Sequence, residues 1–133
     1  MKLIKLYETK SCDGCGKVVG EVWLEGLDYI CPLDLFDSGA LKALVMLNKA
    51  CLSQNQFLDY ANGRKCKALY LTQPHRYLAP QDLPAGMHAP QNFCYGDDCI
   101  YLAIHKIWAD KILSGEKQIE IRKSFIDYVF FVW

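Results

Sequence analysis

Apolar and polar positions alternate from the start of the chain. Residues 2–8 read as one strand and residues 17–25 as a second, with Val18, Val22 and Leu24 on one parity and Val19, Glu21 and Trp23 on the other. The intervening turn carries Asp13-Gly14, the pair that suits a tight reversal, so the two strands are expected to form a hairpin. After Pro32 the period lengthens. Leu41, Leu44, Val45 and Leu47 predict a helix, capped by Asp37 or Ser38 and ending near Asn48, whose apolar stripe faces the core. Ser53 is placed to cap a shorter helix holding Phe57 and Leu58, with Asn62-Gly63 as its left-handed stop. Residues 67–71 return to strand, and Pro74, Pro80, Pro84 and Pro90 predict a loop-rich stretch up to Asn92. Residues 99–103 form another strand, and Ile104, Trp108 and Ile112 step by four along a helix that Gly115 closes. The apolar residues 128–133 predict a last strand that must be buried or paired.

Between that helix and the last strand lies the most informative run, residues 115–123. It alternates like a strand, yet Gln118, Glu120 and Arg122 share one parity and project from one side, opposite Lys117, Ile119 and Ile121. A solvated edge strand and a polar binding surface both fit that pattern. The helices are too few for regular βαβ units, so the expected fold class is α+β, a small curved antiparallel sheet or barrel with helices packed at its ends.

Composition narrows the picture. A chain of 133 residues with 52% hydrophobic and 13% aromatic content suits a single domain that spans the whole sequence and buries a core without staples. No apolar stretch reaches membrane-spanning length, and lysines interrupt the N-terminus too soon for a signal peptide, so a cytoplasmic protein with no membrane partner is expected. Seven cysteines then stay reduced.

The formal net charge is zero, which excludes a general polycation, but charge is unevenly spread. From Tyr60 to Gln81 stand Arg64, Lys65, Lys67 and Arg76 among Tyr60, Tyr70 and Tyr77, with no acidic residue. Such interleaving can hold phosphates while bases stack, and it also serves plain solubility. Cys12 and Cys15 have the spacing of half a zinc ribbon, but no second pair completes it; they are weak candidates and no metal or cofactor is expected. His75, His88 and His105 carry no local signature of a Cys-His site. Lys117 beside Glu120 is either a lysine pushed by burial toward a neutral base or nucleophile, or a charged group that pairs with phosphate or carboxylate alongside Arg122.

The segment 107–123, a helix ending in Gly115-Glu116-Lys117 and followed by Gln118-Ile119-Glu120-Ile121-Arg122, resembles the signature of the ASCH domain family, small proteins of PUA-like fold. Residues 17–22 resemble that family's central strand, residues 70–83 its following strand and loop, and residues 89–95 its closing segment. The order differs: the family's opening strand, helix and motif fall at 98–133, after the central and closing parts at 1–97. The resemblance therefore implies a circularly permuted PUA-like β-barrel with flanking helices, or a segment-swapped homodimer.

It also implies an RNA- or nucleotide-binding module. Its ligand cleft would lie at the Gly115 to Lys117 turn, with Lys117, Glu120 and Arg122 in it and Arg64, Lys65, Lys67 and Arg76 extending a positive path. An alternative is an amidohydrolase acting on N4-acetylcytidine-type nucleosides, with Lys117 and Glu120 as catalytic residues. Glu120 stands where those hydrolases carry threonine, and residues 48–53 offer no acidic counterpart for their separate glutamate. A further alternative is a degenerate domain that acts through oligomerisation only.

Overall fold

The computed structural model describes residues 1–125; the strand expected at 128–133 lies outside the described residues. Strand β1 (Lys2–Glu8) and β2 (Lys17–Ile30) form the expected antiparallel hairpin, with Leu3 opposite Trp23 and Leu6 opposite Gly20. Helices α1 (Ala40–Lys49) and α2 (Gln54–Ala61) follow, then β3 (Cys66–Gln81), β4 (Phe93–Tyr95), β5 (Ile100–Ile104), helix α3 (Lys106–Leu113) and β6 (Ile119–Arg122). Among the described residues the strands make one six-stranded sheet in the order β4-β5-β1-β2-β3-β6, curled into a half-barrel. The mixed α+β class expected from the sequence is the one observed. An all-antiparallel sheet is not, because β5 lies parallel to β1, with Leu6 opposite Leu102.

The two edges of the curl are tied by side chains. Arg122 on β6 donates through one Nη to Asn92 Oδ1 at 2.9 Å and through the other to the Ala103 carbonyl on β5 at 2.6 Å. Asn92 returns a bond from Nδ2 to the Ser124 carbonyl at 3.0 Å, and the Phe93 and Phe125 rings lie 5.2 Å apart. Helix α3 carries the chain from β5 across to β6. It buries Ala109, Ile112 and Leu113 against Ile4, Leu24, Leu69 and Ile100 of the sheet. A second core, with Phe57 and Ile119 fully enclosed, joins α1 and α2 to β6 and the start of β3.

Three local expectations are corrected. The stripe proposed for α1 was rotated: Ala43, Met46 and Leu47 are buried, whereas Leu41 is 76% exposed and Leu44 and Val45 face outward, because the short alanines let α1 approach Phe57 and Ala61 of α2. Neither Asp37 nor Ser38 caps it; Gly39 holds the N-cap position and Asp37 Oδ1 accepts from the Gly39 amide at 2.7 Å. Ser53 caps α2 as expected, its Oγ accepting from the Gln56 amide while Gln56 Oε1 accepts from the Ser53 amide, and Asn62 ends the helix in the left-handed region. Pro74 and Pro80 do not break the chain into loop. Strand β3 runs through both, since its pairing with β2 shifts register there and leaves each proline without a ladder bond to supply.

Gly20 is required where α3 crosses β2. A Cβ there would stand 2.6 Å from the His75 carbonyl oxygen and 2.7 Å from Leu113 Cδ2. Gly20→Ala is expected to lower unfolding free energy in urea by about 1–3 kcal/mol through overpacking. Gly26→Ala on the same strand meets only Tyr70 Cδ2 at 3.9 Å and should shift stability far less.

Candidate functional site

Gly115, at φ +86°, ends α3 and turns the chain sharply toward β6. The turn is pinned from three sides: the Lys117 amide donates to the Lys111 carbonyl at 2.9 Å, the Gln118 amide to the Lys49 carbonyl at 2.8 Å, and the Leu71 amide to the Gln118 carbonyl at 3.0 Å. Lys117 is thereby directed inward and is 2% exposed. Its Nζ donates to the carbonyl of Ala50 at the end of α1, where the helix dipole favours a cation, and stands 3.3 Å from Glu120 Oε1. The same ammonium lies 5.0 Å from the centroid of the Trp108 ring.

Glu120, also buried, completes a three-charge chain. Its Oε2 accepts from Arg122 Nε at 2.8 Å, so one carboxylate is shared by two cations. Desolvation pushes the Lys117 ammonium below its ordinary pKa, with the Glu120 carboxylate opposing that shift. Burial likewise raises the Tyr60 phenol, although Tyr60 Oη accepts from the Lys123 amide at 3.0 Å.

These residues form the floor of a cavity of about 570 Å³ at the seam where β6 faces β5. Trp108 from α3 and Tyr60 from α2 supply aromatic walls, and Leu52 and Ile104 add apolar surface. Thr9, Gln56, Asp59, Gln91 and His105 supply polar groups at the sides, with Thr9 Oγ1 and His105 Nδ1 held 3.2 Å apart. An aromatic and apolar enclosure with a few fixed polar groups has the make-up of a small-molecule site.

Of the residues expected from sequence, Lys117, Glu120 and Arg122 come together here. Glu120 and Arg122 share one side of β6 as the alternation predicts, whereas Gln118 precedes the strand and is exposed. The basic residues do not line this cavity. Arg76 pairs with Asp110 at 2.8 Å, Lys67 Nζ donates to the Phe125 carbonyl at 3.0 Å, Lys65 sits 4.6 Å from the Tyr29 ring centroid, and Arg64 is exposed on the turn before β3. Cys12 and Cys15 are exposed thiols at the hairpin turn, and no cluster of three metal-ligating side chains occurs among the described residues.

Sequence reasoning missed Asp59, Asn92 and the site role of Trp108, and it named Tyr60 only as one of three aromatics among the basic residues. Trp108 was legible as one step of an apolar stripe, but only its overhang beyond the helix contact makes it a wall. Asp59 is a second acidic group at the cavity besides Glu120, on α2 and outside the 48–53 stretch where one was sought.

The lowered Lys117 value has a sign that can be tested. Between that value and the ordinary 10.5, the unfolded chain binds more protons than the folded one, so stability rises with pH in that window. The margin of wild type over Lys117→Met in urea denaturation is expected to grow between neutral pH and about pH 10, the tyrosines being common to both proteins. Parallel stability curves would mean that Lys117 titrates at its ordinary value.

Comparison of the chain with models of protein families, with curated proteins and with solved structures finds no match in any of the three.

Proposed function

We propose that this protein is an ASCH-type module that binds a nucleoside or nucleotide, free or within RNA, in the cavity over Lys117, Glu120 and Arg122. One observation carries the reading: a buried, mutually paired Lys-Glu-Arg chain underlies a 570 Å³ cavity walled by Trp108 and Tyr60. A base can stack on an aromatic wall while its polar edge meets fixed donors and acceptors, and base-aromatic stacking is worth about 1–3 kcal/mol per base. The exposed basic residues Arg64 and Lys65 lie outside the cavity and would contribute to a longer strand only as peripheral phosphate contacts.

A second reading, hydrolysis of an N4-acetylcytidine-type amide, is favoured by the lowered pKa of Lys117. The neutral amine would take a proton from water as the water oxygen attacks the acetyl carbonyl. As the C–N bond breaks, the same group would return the proton to the leaving nitrogen, releasing acetate and the free amine. Glu120 then sets how much of Lys117 is neutral. The permuted order of the family's parts belongs to this proposal too, with 98–133 completing in one chain the barrel begun by 1–97.

Calorimetric titration with the four common ribonucleosides and N4-acetylcytidine tests binding, and Trp108→Ala should weaken the best of them by at least about tenfold. Loss of the N4-acetylcytidine absorbance, abolished in Lys117→Ala, would establish the hydrolase. Binding without turnover leaves the binding module, and neither binding nor turnover removes both readings. For the permutation, a chain restarted at residue 98 with 133 linked to 1 should fold cooperatively and elute as a monomer; a dimer that separates only on unfolding would point to exchanged segments.

A further inference from the structure

We infer that the ligand of this cavity carries a phosphate monoester, and that Lys123 at the rim is the residue that receives it. This rests on the proposed nucleoside-binding reading and adds the ligand class and a residue to it. Both cations in the cavity are already used internally. Lys117 is engaged by Glu120 and the Ala50 carbonyl, and the Arg122 guanidinium spends Nε on Glu120 and its two Nη groups on Asn92 and the Ala103 carbonyl. Each keeps a spare N–H, but swinging either head group out toward a phosphate would loosen the bonds that hold this buried ion cluster together, which is costly.

Lys123 differs on each count. It is exposed, it follows Arg122 directly, and no carboxylate pairs with it among the described residues. Its ammonium instead lies 4.8 Å from the centroid of the Tyr60 ring, which is itself a wall of the cavity. The Lys123 amide donates to Tyr60 Oη at 3.0 Å, so backbone and ring fix where the ammonium starts from. A ligand whose base enters the cavity beside Tyr60 leaves its sugar-phosphate end at this rim. An ammonium held over an aromatic face can turn from it to a phosphate oxygen without breaking any ion pair. Asp59 also faces the cavity from α2, where it repels a phosphate on its own side and can accept from a sugar hydroxyl. That asymmetry orients the ligand, with hydroxyls toward Asp59 and phosphate toward Lys123.

The experiment compares each ribonucleoside with its 5′- and 3′-monophosphates by calorimetry, using wild type, Lys123→Gln and, as a surface control, Lys65→Gln. One monophosphate is expected to bind about threefold to tenfold tighter than its nucleoside in wild type, with the advantage shrinking as salt is raised. Lys123→Gln should remove that advantage and leave nucleoside affinity unchanged, while Lys65→Gln should alter neither. Nucleoside binding with no gain from either phosphate, or a gain that survives Lys123→Gln, overturns this inference while leaving the proposed function standing. Absence of binding by every nucleoside and nucleotide overturns both.

Discussion

The Glu120 carboxylate, buried between Lys117 and Arg122, is the contact on which the rest of this structure depends. Three charged groups taken from water are tolerable only when each satisfies the others. Here the satisfaction runs through separate parts of the fold. Lys117 reaches to the carbonyl that ends α1, and Arg122 reaches across the open seam to Asn92 and to β5. Glu120 thus joins the α1–α2 connection, strand β6 and the far margin of the sheet. Packing alone would hold each of these pieces to its neighbours, but it would not set the distance between β6 and β5.

That distance makes the cavity. Where barrel strands meet in a continuous ladder, backbone bonds bring them to about 4.8 Å and side chains fill the interior. The contacts between β6 and the β4–β5 margin come instead from the Arg122 fork, the Asn92 amide and the Phe93–Phe125 pair, in each of which a side chain stands where a ladder has backbone alone. The space left beside them is roofed by α3 and α2, each contributing one large ring. The same arrangement explains why a strand at the sheet edge carries buried charge. A buried Glu on an edge strand is poor sheet design unless something other than a neighbouring strand covers it, and here the cover is two cations and an indole.

Much of this was readable in the residues, and the failures have physical causes. The period-two and period-3.6 patterns located β1, β2, α2, α3 and β6 because each has one clearly apolar face. The stripe of α1 was misread because alanine is nearly silent in such a pattern. Ala43 and Ala50 mark its buried side by their small size, and the larger Leu41 drew the reading outward. The prolines of β3 misled for a related reason, since a proline at a register shift costs no ladder bond and the shift is set by β2, not by local sequence. At the site, Lys117, Glu120 and Arg122 could be singled out because they share one short run. Trp108, Tyr60, Asp59 and Asn92 come from three other segments, and only the curl of the sheet brings them to that run.

A charge cluster that exists to hold a fold together usually ends as a sealed core, with every polar atom consumed and no space beside it. In this protein the cluster is consumed but not sealed. Glu120 and Lys117 are satisfied from within, yet both line a cavity large enough for a drug-sized molecule. Compensation of that kind keeps a site rigid before any ligand arrives, because the groups beneath it have no better partner to seek. With one carboxylate between two cations the floor keeps a single positive charge that both share, and recognition draws besides on the aromatic walls and on the polar side chains at the rim. Tyr60 belongs to both. Its ring closes the cavity, its hydroxyl holds the Lys123 backbone, and its face carries the Lys123 ammonium, which makes it the point where the stability of the fold and the chemistry of recognition meet.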